Sequence, residues 1–167
     1  MLKITLDTNI LFDYFNQNRR NHQIAKEVFD NIQYILYIVE TTLREVQEKS
    51  PAERAIKLKP IKDLINSGKL NLLPEPQMGC AIPMAIPLDL SHISPNRDKL
   101  KEILIKSKGK GYKKNAIPDA LIAEAHLRSG NDYLLTENKK DFVFFSDIQI
   151  IDYKGLLKIK NKQFNRH

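Results

Sequence analysis

Apolar residues recur along the chain at two spacings, one typical of β-strands and one typical of α-helices. Residues Leu2–Leu6 alternate apolar and polar side chains, whereas residues 34–39 form a continuous β-branched and aromatic run, typical of a strand buried on both faces. Shorter strands are predicted at 69–73, 132–136 and 148–151, and helices at 10–15, 24–32, 43–46, 51–67, 96–106 and 116–130. Strands that alternate with helices predict an α/β fold of three layers, with helices on both faces of a mainly parallel central sheet.

Polar and conformationally special residues predict where these helices begin and end. The residues suited to cap the first three helices are Thr8 or Asn9, then Asn21, then Thr42. Pro60 is expected to break or kink the helix over 51–67, because proline lacks the N–H that an interior turn uses. Gly130 stands where a helix ending in a left-handed residue would place it.

The chain is interpreted as one domain over residues 1–167. Its length suits a single domain, 42% of its residues are hydrophobic, and it contains no internal repeat or linker. Five of the eight prolines fall within 74–95, which predicts an irregular excursion. Residues 153–167 have no acid, and their charged side chains predict a frayed basic tail: Lys154, Lys158, Lys160, Lys162 and Arg166.

Charge and composition narrow the class of partner and exclude several classes of site. The net charge of +7 favours an anionic partner, nucleic acid before a membrane surface, although a merely soluble basic surface explains it equally well. A single cysteine, Cys80, and four scattered histidines exclude a disulfide framework and a cysteine- or histidine-based metal site. Without a long apolar run or a signal peptide, we expect a cytoplasmic protein that does not enter a membrane.

Four acids follow the predicted strands or begin the helices after them: Asp7, Glu45, Asp119 and Asp141. Each acid alone has an ordinary explanation as a helix cap, a first-turn acid or a solvated side chain. Together they fall where an open α/β sheet collects its ligands, at the carboxyl ends of the strands. Acids gathered there repel one another unless a cation neutralises them, and oxygen ligands select Mg²⁺ or Mn²⁺.

Four short motifs, in this order, resemble the PIN-domain ribonuclease family. Residues 4–11 (ITLDTNIL) are similar to the family's opening strand and its Asp-Thr-Asn end, and residues 42–45 (TLRE) to its Thr-x-x-Glu. Residues 119–123 (DALIA) and 134–142 (LLTENKKDF) resemble its Asp-Ala-x-Ile-Ala and Thr-x-Asn-x-x-Asp-Phe segments. The resemblance extends to the toxins of the virulence-associated type-C class, and it implies a PIN-like fold and a metal-dependent ribonuclease.

The resemblance also implies roles for individual residues. Asp7, Glu45 and Asp119 match the three central metal-site acids of the family. The family places a fourth acid at the position of Asn138 or of Asp141; we take Asp141 as the ligand and Asn138 as a neutral ligand or an orienting group. The side chains expected to orient the carboxylates through hydrogen bonds are Thr8, Asn9 and Thr136. The 74 residues from Glu45 to Asp119 exceed the spacing expected of a compact toxin of this class.

A lysine-rich stretch precedes Asp119 and is the predicted RNA contact. It contains Gly109 and Gly111, and the residues expected to bind phosphates or stack on a base are Lys108, Lys110, Tyr112, Lys113 and Lys114. A solvated surface loop would have the same composition, so both interpretations stay open.

The leading hypothesis is a Mg²⁺- or Mn²⁺-dependent endoribonuclease, the toxin of a toxin–antitoxin pair. One cation, or two about 3.5–4 Å apart, would activate a water for in-line attack on the phosphodiester. The expected partners are RNA, an antitoxin and a second copy of the chain. The alternatives are a non-catalytic RNA-binding protein of the same fold and an RNA-processing nuclease without an antitoxin. A phosphatase-like site would need a second aspartate at position 9, which is Asn9.

Overall fold

A computed structural model describes residues 1–47, 51–74, 116–143 and 145–164. The strands are β1 (Leu2–Leu6), β2 (Tyr34–Val39), β3 (Asn71–Leu73), β4 (Tyr133–Leu135) and β5 (Ile150–Ile151). The helices are α1 (Thr8–Phe15), α2 (His22–Phe29), α3 (Glu40–Gln47), α4 (Pro51–Asn66), α5 (Ala116–Ser129) and α6 (Tyr153–Phe164), with a 3₁₀ turn at Lys139–Asp141. The helix predicted over 96–106, the lysine-rich stretch and all of the proline-rich excursion except Pro74 lie outside the described residues.

The five strands form one sheet in the order β3-β2-β1-β4-β5, and every pairing is parallel. The middle strand is β1, in which Ile4 pairs with Leu36 of β2 on one side and Tyr133 of β4 on the other. The chain first builds outward from β1 to β3 and then returns to the other side, so the strand order reverses between β1 and β4. Ligands of open α/β sheets bind at such a switch point.

Two hydrophobic clusters cover the two faces of the sheet, which confirms the predicted three layers. Successive residues of β4 point to opposite faces: Leu135 joins the cluster that includes α1, α2, α4 and α6, and Leu134 joins the cluster that includes α5. The apolar stripes of α1 and α2 belong to the first cluster, where Tyr14 stacks on Phe29 with ring centroids 4.0 Å apart. Helices on both faces also explain why residues 34–39 are apolar throughout.

Two of the three predicted helix caps are wrong. Asp7 caps α1 and accepts a hydrogen bond from the Thr8 amide, so neither Thr8 nor Asn9 is the cap. Asn21 occupies the N-cap position of α2, as predicted, but its side chain makes no cap bond, and its amide donates to Asp13. Thr42 lies inside α3, which begins at Glu40. The prediction for Gly130 is confirmed: α5 ends at Ser129 and Gly130 has a φ of +62°.

Two segments are more helical than their sequences predict. Helix α4 continues through Pro60, flanked by residues that pack on the core, Leu58, Ile61, Leu64 and Ile65, and this packing offsets the lost hydrogen bond. The predicted basic tail is instead α6 as far as Phe164, with Tyr153 and Leu156 buried in the first cluster. Among the described residues, no helix combines the length and the apolar character needed to cross a membrane.

A buried polar cluster at the far end of α5 predicts a dependence of stability on pH. His126 Nδ1 lies 3.0 Å from Thr5 Oγ1, which also accepts a hydrogen bond from Asn131. Burial lowers the pKa of His126 from 6.5 to about 4, and the charge of Asp132 opposes the change. Between pH 4 and pH 6.5, His126 is protonated in the unfolded chain but neutral in the folded chain. The free energy of unfolding therefore falls as the pH drops from 6.5 to 4, by up to about 3 kcal/mol.

Denaturant unfolding at pH 7, 6, 5 and 4 measures this effect in the natural chain and in His126→Gln. The variant keeps a side chain that can bond Thr5 but has no proton to gain, so we expect its profile to be flatter. Parallel profiles for the two proteins would rule out His126 as the titrating group.

Candidate functional site

The candidate site lies at the carboxyl edge of the sheet, where β1 and β4 end side by side. Asp7 follows β1 directly, and its side chain is only 7% exposed. Its Oδ1 accepts a hydrogen bond from the Thr8 amide at 2.6 Å. Its Oδ2 accepts two more, from Asn9 Nδ2 at 2.6 Å and from Thr136 Oγ1 at 2.7 Å. Three donors from two neighbouring strand ends therefore fix the orientation of one carboxylate.

Asn9 and Thr136 also hold the two strand ends to each other. Asn9 Nδ2 lies 3.1 Å from Thr136 Oγ1, and Asn9 Oδ1 accepts from the Glu137 amide at 3.5 Å. The Asn138 amide donates to Thr136 Oγ1 at 2.9 Å. The structure thus brings two of the predicted orienting residues, Asn9 and Thr136, into contact at the ends of the two strands.

Glu45 reaches the site from α3. The Thr8 hydroxyl donates a hydrogen bond to Glu45 Oε2, so the residue next to Asp7 holds a second predicted acid. One turn earlier on α3, the Thr42 side chain is fully buried, and its hydroxyl has no hydrogen-bond partner among the described residues. Most buried hydroxyls form a hydrogen bond, so an unpaired hydroxyl such as that of Thr42, one helical turn from Glu45, is uncommon.

Asp141 belongs to the 3₁₀ turn that follows β4, and it is half-buried. The side-chain amide of Asn138 donates a hydrogen bond to Asp141 Oδ2. The neutral residue at the alternative fourth position therefore contacts the acid at the other one, as expected of an orienting group.

Electrostatics link Asp7 to Asp141. Burial raises the pKa of the Asp7 carboxyl above its ordinary value, the hydrogen bonds from Thr136 and from the Thr8 amide oppose the rise, and the negative charge of Asp141 adds to it. A buried carboxylate near a second one is costly to ionise. A bound cation would remove this cost.

Asp119 lies in the first turn of α5 and is half-buried. Helix α5 packs against α3, the helix that carries Glu45, so these two acids are on neighbouring helices. Of the predicted site residues, the structure therefore joins Asp7, Thr8, Asn9, Glu45 and Thr136 in one hydrogen-bond network, which continues through Asn138 to Asp141. The predicted RNA contacts lie outside the described residues: Lys108, Lys110, Tyr112, Lys113 and Lys114.

The donor set of the candidate site suits a divalent cation in its chemistry. Its donors are carboxylate, hydroxyl and amide oxygens, which suit Mg²⁺ or Mn²⁺. Yet over residues 1–47, 51–74, 116–143 and 145–164, no three His, Cys, Asp or Glu side chains are grouped so that they could hold a metal ion. The hydrogen bonds of the site use one oxygen of Glu45 and one of Asp141, and a hydrogen bond to a carboxylate oxygen does not prevent it from binding a cation through another lone pair.

One residue at the site was missed by the sequence analysis. Glu137 Oε1 accepts a hydrogen bond from the Tyr153 amide at 3.0 Å and so ties the loop after β4 to the start of α6. The only sequence signal was its position between Thr136 and Asn138 in the last motif, because nothing in the local spacing predicts its partner 16 residues away.

An all-parallel sheet centred on β1, helices on both faces and acids at its carboxyl edge together define a PIN-like α/β/α fold. Solved structures that share it are chains of VapBC toxin–antitoxin complexes, which confirms the resemblance at the level of the fold.

Three such chains match almost the whole protein. VapBC2 from Rickettsia felis, solved bound to a DNA fragment from its promoter, gives a TM-score of 0.56 at 17% identity, over 90% of this chain and 98% of that one. DNA-bound VapBC from Salmonella typhimurium gives 0.58 at 24%, and VapBC-1 from nontypeable Haemophilus influenzae gives 0.57 at 20%. Both cover 92% of this chain and 99% of theirs. No family model and no curated protein matches the sequence.

Proposed function

We propose that this protein is a Mg²⁺- or Mn²⁺-dependent endoribonuclease and the toxin of a toxin–antitoxin pair. The observation that carries the proposal is the Asp7 carboxylate, buried at the switch point of a PIN-like sheet and held by three donors. Burying a carboxylate beside another acid lowers stability, so a role in the fold alone does not account for it. The likeness to chains of VapBC complexes supports the same function.

Each side chain of the site has a role in this proposal. Asp7, Glu45, Asp119 and Asp141 would hold the cation, which when bound supplies an activated water and charge neutralisation at the scissile phosphate. Thr8, Asn9 and Thr136 keep Asp7 and Glu45 oriented, and Asn138 orients Asp141. The basic residues 108, 110, 113 and 114 stay a predicted contact to RNA, together with Tyr112.

The partners follow from the same proposal. An RNA nuclease in the cytoplasm endangers its own cell, so the proposal includes an antitoxin. A basic side chain of that antitoxin, placed among Asp7, Glu45 and Asp119, would neutralise their repulsion as a cation does. We also propose a homodimer, the commonest symmetric assembly.

Cleavage of a labelled single-stranded RNA tests the activity. We expect cutting with Mg²⁺ or Mn²⁺, its loss in EDTA and its recovery when excess metal is added back. Asp7→Asn protein purified in the same way shows whether a contaminating nuclease cuts the RNA. Undiminished cutting in EDTA would overturn the metal dependence, and no cutting with either metal would overturn the nuclease.

One observation favours a second candidate, a non-catalytic RNA-binding protein of the same fold. The described carboxylates form no group that could hold a metal ion. The two candidates differ in a single measurement, since a binder retains the labelled RNA uncut in the presence of Mn²⁺.

A further inference from the structure

The exposed face of α6 carries two lysines, and the helix itself contains no acid. Tyr153 and Leu156 bury one side of this helix in the core, whereas Lys154 and Lys158 lie exposed one turn apart on the other. The sequence has no acid after Asp152. Within the described residues, neither lysine forms an ion pair, so this face carries uncompensated positive charge.

This charge does not stabilise the helix. Like charges four residues apart on a helix repel each other, and Lys154 lies in the first turn, where the helix dipole disfavours a cation. Asp152 could offset it, but its Oδ2 pairs with Lys139 Nζ at 3.0 Å and its Oδ1 accepts from the Gly155 amide at 2.7 Å. A polyanion bound on this face would neutralise the charge of Lys154 and Lys158.

The same face begins at the candidate site. Helix α6 follows β5, whose carboxyl end lies at the edge that holds Asp7, and Glu137 bonds the first amide of α6. The exposed Lys140 is the neighbour of Asp141 in the 3₁₀ turn. Positive side chains therefore extend from beside the acids down α6, away from the site.

We propose that Lys140, Lys154 and Lys158 bind the phosphates of a single-stranded RNA next to the segment that is cut. This inference rests on the proposed function, because the position of the face beside the acids favours RNA over another polyanion. The lysines contact phosphates without reading bases, so they contribute affinity at any sequence. They position the strand and take no part in the chemistry.

The test measures RNA binding against salt concentration in an Asp7→Asn background, in which the RNA is not consumed. Lys154→Ala with Lys158→Ala should weaken binding and reduce the slope of log affinity against log salt by about 0.7 per lost contact, about 1.4 in all. The control, Lys3→Ala with Lys69→Ala, removes the same charge from exposed residues at the amino edge of the sheet and should leave the slope unchanged.

Equal slopes for the two double variants would overturn the inference. So would loss of binding to anionic lipid vesicles without loss of binding to RNA, which would make the face a membrane contact. Cleavage by the natural chain is measured separately. If RNA binds through α6 but is never cut, the proposed nuclease activity is wrong and the proposed RNA-binding surface is supported. If RNA is cut but the salt slope of the double variant is unchanged, the nuclease activity is supported and the surface is wrong.

Discussion

Replacing Asp7 by Asn is expected to abolish RNA cleavage without unfolding the protein. The amide keeps the shape of the carboxylate, and its single oxygen still accepts the hydrogen bond from the Thr8 amide. Its NH₂ group replaces the oxygen that Asn9 and Thr136 bond, and the charge proposed to bind the cation is lost. The loss should exceed about 100-fold, the upper effect of removing a group that only supports a metal ligand. Because burial and Asp141 raise the pKa of Asp7, the metal-free variant should melt at the same temperature as the natural chain or higher.

Turnover at saturating Mn²⁺ and thermal melting in EDTA measure the two halves of this prediction. Asp63→Asn is the matched control, since it removes one negative charge from an exposed position on α4 and should change neither value. Full activity of Asp7→Asn would remove Asp7 from the site. A fall in melting temperature would show instead that its charge stabilises the fold.

Replacing Asp13 by Ala should be the most destabilising change to a polar residue outside the site. Asp13 is 2% exposed and is held by the Arg19 guanidinium, while its Oδ2 accepts a hydrogen bond from the Tyr153 hydroxyl at 3.2 Å. Burial raises the pKa of Tyr153, and the negative charge of Asp13 adds to the effect, so the hydroxyl stays protonated and donates. Alanine leaves that buried hydroxyl without its acceptor, at a cost of about 3 kcal/mol in the free energy of unfolding.

A double-mutant cycle in denaturant separates the hydrogen bond from the cavity. Tyr153→Phe removes the orphaned hydroxyl, so Asp13→Ala combined with it should cost less than the sum of the two single changes. Asp30→Ala, which breaks an exposed pair with Lys69 at 3.7 Å, should change stability by less than about 0.5 kcal/mol. Additive effects of Asp13 and Tyr153 would mean that their contact contributes nothing to the fold.

The fold was predictable where the hydrophobic pattern is unambiguous. The apolar run at residues 34–39 is typical of a strand buried on both faces, which indicates a parallel sheet. Polar residues follow β1 directly, which indicates where the carboxyl edge of that sheet lies. Helix α6 was not predictable, because its lysines have no acid partners at helical spacing and its anchors, Tyr153 and Leu156, are too few to give a clear period. The break predicted at Pro60 is wrong for a different reason. Proline disfavours a helix interior, but the residues on both sides of Pro60 pack on the core and keep α4 continuous.

Part of the candidate site was likewise predictable from the sequence, and part was not. Neighbours in sequence, such as Asp7, Thr8 and Asn9, were predicted together, and the structure bonds Asp7 and Asn9 to Thr136. The sequence does not predict which side chain donates a hydrogen bond to each carboxylate. Thr8, for example, donates to Glu45 instead of capping α1. Such choices depend on the distance between two strand ends, which spacing along the chain does not encode.

The central place of β1 also has a consequence during synthesis. Ile4 pairs with Tyr133, and Asp7 needs the hydroxyl of Thr136, so the first strand waits for partners made 129 residues later. At about 5–20 residues per second, a ribosome needs on the order of ten seconds to supply them. Until then the Asp7 carboxylate lacks strand β4 beside it and one of its three donors. A nascent chain built in this order carries Asp7 and Glu45 early, but Asp119 and Asp141 are made late, so under the proposed function the site would be complete only when most of the chain has left the ribosome.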